Sequence, residues 1–584
     1  MHNVLHNETA FGRETRSVEF CVVGGGMAGL NAAIAAARNG VKTILVQDRS
    51  VLGGNASSEI RMWICGAHGN DNKEAGILEE IMLRNLYYNA DMVYTVWDDV
   101  LHGICREEPN LEVLFSCAVN EVHTHDRKIT AIGAWHCTRQ CWIDIQADLY
   151  ADCSGDSVLR ICGAETRWGR EARQEFDEGH APEVADDKTM GNSILIQLRA
   201  VEGHTHPFIA PPWARKFKEE DLPNRGPLTP EGDNFWWLEL GGMMNTIDDA
   251  DTIRDENLAI AYGVWEMMKN HPDGRGDGWA LEWIGSLPGK RENVRYVGDH
   301  ILTQNDIEAE GRFEDRVCHG GWSMDDHHPE AINYKGKPTI FHPAPSPYGI
   351  PYRCLYVRDM DNLFCAGRNI SATHMAMSST RVMATTSTMG QAVGTAAAIA
   401  AQQGLTPRGV YTEALTRLQD TLRDQDQYIP WTERPLIAAQ RQGVLTPSCG
   451  AVTELSNGIE RDIDGIDNGW WGSPGDTLTW RFPESEIFSQ IRIISDSDFN
   501  DRKKMPCSYP SQGNRQTMPA SLIKEAKLEG KSPDGQWQML HEVHNNFRRL
   551  LMLPLDLPVQ EVRLTLDAAW GGGQAHIFSF DLLA

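Results

Sequence analysis

The residues Glu19-Phe20-Cys21-Val22-Val23-Gly24-Gly25-Gly26-Met27-Ala28-Gly29-Leu30 constrain this chain more than any other stretch. An apolar run breaks into spaced glycines and an alanine-rich segment follows at once. A second apolar run, Thr43 to Val46, then leads to Asp48 and Arg49. That order predicts a strand, a tight turn, a helix and a second strand, with a separate task for each glycine. Gly24 permits the sharp turn, Gly26 lets the backbone approach a pyrophosphate, and Gly29 lets the helix lie close on the strand. The helix start, with Met27 and Ala28, offers unpaired N–H groups and the positive end of a helix dipole to phosphate. Asp48, about 24 residues after Gly24, stands where a carboxylate accepts hydrogen bonds from ribose hydroxyls. The pattern predicts a bound dinucleotide.

The 584 residues suffice for two or three domains. No long uninterrupted apolar run occurs, and MHNVLHNETAFGRETRS lacks the basic-then-apolar order of a secretory signal. A cytoplasmic protein is therefore expected. The net charge of −27 repels nucleic acid and anionic membrane surfaces, so a small-molecule partner is expected instead. The thirteen cysteines are scattered and form no CxxC, which predicts free thiols rather than disulfides or zinc. No metal is expected: Asp325, His327 and His328 lack HxH or HxxxH spacing, and neighbours on a strand point to opposite faces.

After the opening unit, Val51-Leu52-Gly53-Gly54-Asn55 reads as a turn-rich loop. A helix is predicted over 75–90, with strands over 111–118, 129–136 and 141–147. The last continues towards Ser154-Gly155-Asp156. Residues 166–345 are rich in Trp, Pro, Gly and His and read as an inserted, partly helical region. A buried strand follows at Leu363-Phe364-Cys365-Ala366-Gly367, and then a small-residue helix closed by Gly404. From about Ala451, short alternating strands at 477–480, 491–494, 561–566 and 576–582 predict an antiparallel sandwich. The fold class is thus α/β, a Rossmann-like dinucleotide domain with an inserted substrate region, plus a C-terminal antiparallel β-sandwich. The expected divisions are 18–165, 166–345, 346–430, a linker at 431–450, and 451–584.

These pieces together resemble the FAD-dependent oxidoreductase family. Its members carry an LGGNAS-type loop and a GIPYRCL…NLFCAGRNISATH…RVM…GQAVGTAAA block, here spanning roughly residues 18 to 430. Ser154-Gly155-Asp156 matches the family's middle motif. The resemblance implies FAD as cofactor, held by the residues already named with Gly367 and Arg368. It also implies that the late helix, expected to begin near Thr386 to Gly390, points Gly390, Gln391 and Ala392 at the flavin. Its dipole would stabilise negative charge on the reduced ring. The region after 451 resembles a discoidin-like, galactose-binding sandwich through DIDGIDNGWWGSPGDTLTW and AAWGGGQAHIFSFDL. There Trp470, Trp471 and Trp480 are core residues or sugar platforms.

Two reactions fit such a flavin enzyme. One oxidises a secondary hydroxyl of a carbohydrate or glycoside by hydride transfer to flavin N5, with His374 or His68 taking the proton. The other, fumarate-reductase-like, acts on a carbon–carbon bond of a carboxylate gripped by Arg381, Arg291 or Arg295. Trp322, His328, Tyr348 and Tyr352 are further candidates to contact substrate. Trp236 and Trp237 are candidate stacking residues. The electron acceptor, and whether the chain forms a homo-oligomer, are left open.

Overall fold

The first apolar run forms β1 (Arg13–Val23), whose last four residues are buried. The computed structural model describes residues 11–226, 228–231, 234–501, 503, 505–506, 517–555 and 557–583. The turn after β1 opens α1 (Met27–Arg38), in which Met27 through Ala37 are all buried. A helix apolar on every side has to lie between other layers, and alanine keeps it thin enough to do so. Next comes β2 (Thr43–Val46), paired in parallel with β1.

The sheet grows on both sides of β1. On one side lie β2 and then β3 (Leu111–Leu114). On the other lies β6 (Cys141–Asp152), parallel to β1 from Arg13↔Trp142 to Val23↔Asp152. An antiparallel meander, β4 (Cys117–His125) and β5 (Lys128–His136), continues from the first half of β6. The inserted region contributes small two- and three-stranded sheets and one long helix, α2 (Ala250–Lys269). Ile260, Val264 and Trp265 of α2 share a buried cluster with Ile194, Ile196, Phe235 and Trp237. The same region holds a two-stranded ribbon, β7 (Met324–His327) and β8 (Thr339–His342). The chain then returns to the main sheet as β9 (Leu363–Cys365), parallel to β6. Cys365 and Val23 both pair with Asp152, so β1, β6 and β9 end together. The crevice beyond the carboxyl ends of parallel strands is where α/β sheets bind ligands.

Two helices follow β9, α3 (His374–Thr380) and α4 (Met383–Gln403). Thr373 caps α3, its hydroxyl accepting from the Ala376 N–H. Extended backbone at Val382 separates the two helices, and Gly404 closes α4 in the left-handed conformation. The start of α4 lies several residues before the sequence expectation of Thr386 to Gly390. The run Thr385-Thr386-Ser387-Thr388 reads as a poor helix former. Its hydroxyls instead bond back to Met383 and Thr385 carbonyls, so burial leaves them satisfied.

Helices α1 and α4 meet backbone to backbone. A Cβ on Gly390 would lie 2.0 Å from the Ala28 carbonyl oxygen, and one on Gly394 2.0 Å from that of Ala32.

The chain divides into two units, one carrying this sheet and the inserted region, the other grouping Ala67–Val93 with the C-terminal segments. The second unit contains the helix Ile77–Tyr88 and two antiparallel sheets. The five-stranded sheet runs Val444–Pro447, Thr477–Ile487, Pro558–Ala569, Ile523–Lys531, Trp537–Val543. The four-stranded sheet runs Trp470–Gly472, Ala575–Leu583, Gln490–Ser495, Leu550–Pro554. Trp470 and Trp480 are buried in the core of this sandwich, whereas Trp471 turns outward and stacks on His576 with ring centroids 4.1 Å apart. No disulfide joins the described cysteines, and among the described residues no helix is long and apolar enough to cross a membrane.

The α1–α4 contact leaves no room for a side chain. Gly390→Val is expected to cost about 1–3 kcal/mol of stability. Chemical denaturation with a midpoint equal to that of the parent would refute the backbone-to-backbone contact.

Candidate active site

A cavity of about 650 Å3 runs along the carboxyl ends of β1, β6 and β9. Its walls are turns with little side chain. Gly24 has φ +100°, and a Cβ there would fall 2.5 Å from the Ser154 Cα. Gly26 faces Gly54, whose own Cβ would sit 3.1 Å from the Gly26 Cα. Gln47 fixes the loop, its Oε1 accepting from the Gly25 N–H at 2.7 Å. Asp48 and Arg49 line one end, with Arg49 paired to Glu59. Along the wall follow Met27, Ala28, Gly53, Asn55, Ser154, Gly155 and Gly367.

Asp156 sits in the middle. It receives hydrogen bonds from Lys290 and Arg368, both at 2.7 Å, and from Asn293. Burial pushes this carboxyl up, but the charges of Arg368 and Lys290 outweigh it and hold the group at about 2. Arg368 Nε–H is buried with no partner among the described residues. Beneath, Asp152 ties the turn together, accepting from Ser154, the Leu159 N–H and the Tyr296 hydroxyl. A glycine-lined backbone cradle, a ribose-facing acid and cationic groups with an unspent donor fit the two phosphates and the ribityl chain of FAD.

Past Arg368, Met383 and Thr386 bring the first turn of α4 to the wall. Gly29, Gly390, Gln391 and Ala392 are not among the lining residues. Gly29 packs on the Gly24 carbonyl, and Gly390 is spent on the contact with α1. The part of α4 that lines the cavity is thus its first turn rather than the Gly390 segment.

The far end is built by the ribbon. Alternation along β7 and the pairing Asp325↔Phe341 and His327↔Thr339 put Asp325, His327, Thr339 and Phe341 on one face. Asp325, His327 and Phe341 line the cavity with Ser193, Trp236, Arg291, Trp322 and Arg381. His327 Nδ1 lies 2.6 Å from Glu239 Oε2, and its Nε2 lies 3.4 Å from Asp325 Oδ2. Arg381 donates to Asp325 Oδ2 at 3.0 Å, and Thr339 donates to the other oxygen. Burial raises the Asp325 carboxyl, yet His327 and Arg381 together carry it well below its ordinary value. Arg291 donates to Ser193 Oγ and to the Gly191 and Trp236 carbonyls, with Glu239 at 3.4 Å.

His374 is not at the cavity wall. It lies on the opposite face of the ribbon, with Nδ1 2.9 Å from Glu292 and Nε2 3.1 Å from Asp326. Burial disfavours its charge, but these two carboxylates raise its pKa to about 10. It is therefore an imidazolium at neutral pH and has no lone pair with which to take a proton. Arg295 is enclosed between Glu171 and Glu292. Tyr348 bonds Ser379, Tyr352 donates to the Pro407 carbonyl, and His328 stacks on Tyr334. These four, like the exposed His68, are absent from the lining. Of the predicted catalytic residues only Arg381 is brought to the cavity. Asp325, His327 and Lys290 line it instead, with Glu239 behind His327. Alternation over Asp325-Asp326-His327 is the signal that separates the first two of these from Asp326, the partner of His374.

The charge on His374 makes stability depend on pH. Its folded-state pKa lies above the ordinary 6.5, so its contribution is complete below that value and is lost as pH rises through about 10. The melting temperature of the parent should fall relative to that of His374→Gln across this window. Parallel pH profiles for the two proteins would overturn the assignment.

The family model described as FAD dependent oxidoreductase matches residues 19–422. No curated protein matches. Among solved structures, the chain is similar to a geranylgeranyl bacteriochlorophyll reductase-like protein from Thermoplasma acidophilum. That match has 12% identity and a TM-score of 0.32, covering 71% of this chain and 85% of the other. It is also similar to a family 32 carbohydrate-binding module from Streptococcus pneumoniae, at 14% identity and a TM-score of 0.19, covering 24% and 94%. A family 32 module from Clostridium perfringens solved with galactose gives 13%, 0.18, 25% and 95%. With the matched model spanning the sheet, the cradle and the ribbon alike, the chain belongs to the FAD-dependent oxidoreductase family, and it is an FAD-dependent enzyme.

Proposed function

We propose that this enzyme oxidises a secondary hydroxyl of a carbohydrate or glycoside, the hydride passing to flavin N5. The observation that carries the reading is His327, at the cavity wall with its Nδ1 held by Glu239 at 2.6 Å. The reaction requires the tautomer with Nδ1–H donated to Glu239 and Nε2 unprotonated, so that a substrate hydroxyl donates to Nε2. Asp325 Oδ2, 3.4 Å from Nε2, makes at most a weak bond to it, so Nε2 can give up that contact for a substrate hydroxyl. His327 takes the hydroxyl proton as hydride leaves the same carbon, and the imidazolium that results stands between two carboxylates. Bound FAD supplies the two-electron acceptor. Arg381 Nε–H, buried and without a partner among the described residues, is a donor for the oxygen that becomes a carbonyl.

The charge balance favours a neutral polyol over a dicarboxylate. Arg291 and Arg381, the cations a fumarate-reductase-like enzyme would need for its substrate, face Glu239 and Asp325. Trp236 and Trp322 add apolar faces of the kind that pack against a sugar ring.

Anaerobic mixing with sugars, glycosides and dicarboxylates tests the reading. Sugars or glycosides should bleach the flavin band; reoxidation of reduced enzyme by an alkene acid, with no bleaching by any sugar, would replace it with the carboxylate reaction. His327→Gln should slow flavin reduction by about 10²–10⁴-fold while FAD stays bound; an unaltered rate removes His327 from the chemistry. Arg368→Ala should weaken FAD at least about tenfold through a lost charge-assisted bond, read by titrating apoenzyme with FAD and following flavin fluorescence.

A further inference from the structure

The catalytic face of the ribbon carries one residue that the oxidation of a hydroxyl does not use. Phe341 stands directly across from Asp325 in register, lines the cavity, and is 55% exposed. A ring that is both lining and exposed sits at the cavity's rim. Cβ atoms of directly opposed residues in an antiparallel pair are about 5 Å apart, so this ring begins within one residue's reach of the Asp325 carboxylate. Trp236, edge-on to His327 at 5.4 Å, and Trp322 continue the aromatic surface inward.

The apolar face of a sugar ring is already served by Trp236 and Trp322 at the wall, which leaves the Phe341 ring for a further group. Hydroxyls surround a pyranose and ask for donors and acceptors, and these are gathered deeper, on Ser193, Asp325, His327 and Arg381. Large apolar side chains left open at a binding site point to apolar surface on what binds there. Because Phe341 shares a face with Asp325 and His327, an apolar group covering it has to be attached to the molecule whose hydroxyl those residues hold. We propose that the rim is a subsite for an apolar, preferably aromatic, aglycone, so that glycosides of this kind rather than free sugars are the substrate class. This rests on the carbohydrate reading above.

The test is anaerobic flavin reduction of the full-length holoenzyme by three compounds sharing one sugar: the free sugar, its methyl glycoside and its phenyl glycoside. The half-saturating concentration should be about 3–10-fold lower for the phenyl than for the methyl glycoside, the size of one aromatic contact. In Phe341→Ser that ratio should fall to about one, and in Phe341→Tyr, which keeps the ring, it should persist. Equal values for phenyl and methyl glycosides in the parent enzyme, or a ratio unchanged in Phe341→Ser, overturn the subsite while leaving the carbohydrate reading intact. Should Phe341→Ser fail to fold, Phe341→Gln takes its place, with a ratio of about one expected and an unchanged ratio overturning the subsite. If none of the three compounds bleaches the flavin for any of a panel of sugars, the carbohydrate reading falls and the subsite with it.

Discussion

Everything at the cofactor end depends on two helices touching without side chains between them. Gly390 and Gly394 of α4 lie on the Ala28 and Ala32 carbonyls of α1. Close approach of this kind gains dispersion contacts along both backbones and tolerates no added methyl group. It also fixes direction. Since α1 starts at the glycine turn and α4 starts beside Arg368, the contact aims two helix N-termini at one crevice. The dipoles then act together on an anionic cofactor, and neither helix can shift without moving its partner.

At the other end the organising device is electrostatic. The ribbon has one face in the cavity and one face held by His374, whose charge is balanced by Glu292 and Asp326. Arg295 and Glu171 extend the network behind it. Buried ion pairs of this sort add little net stability and are costly to break singly. Their effect here is positional: Asp326 is tied down, and Asp325 and His327 on either side of it are turned outward together. Residues that face the cavity and the residue that orients them therefore alternate over the three positions Asp325, Asp326 and His327.

Which parts were legible in the sequence follows from the range of the signals. The βαβ unit, the Ser154-Gly155-Asp156 turn and β9 were readable because apolar period and glycine spacing are local and repeat the same physical requirement. The sandwich strands expected at 477–480 and 576–582 were readable from alternation for the same reason, and lie within Thr477–Ile487 and Ala575–Leu583. The start of α4 was not, because hydroxyl residues that bond to their own helix resemble a loop. The catalytic end was least readable. Met324–His327 is short and polar on both faces, so it has no hydrophobic period to announce a strand. Alternation along a strand there argues against a metal but does not say which face meets the cavity, and position in the chain then favoured His374, the histidine nearest β9. Lys290 carries no local signal at all; its role comes only from meeting Asp156 across 134 residues.

The same alternation limits what the site can do with charge. Glu239 and Asp325 face Arg291 and Arg381, so neither arginine meets the cavity without a carboxylate beside it. In the proposed reaction, proton transfer to His327 as hydride departs would add one positive charge between the two carboxylates, where it is best stabilised. A base placed at His374 would have had the opposite problem, being already charged and locked by its neighbours. The arrangement thus favours a reaction in which a neutral substrate loses a proton to the wall as it is oxidised. It gives no comparable advantage to one in which a dianion must first be held.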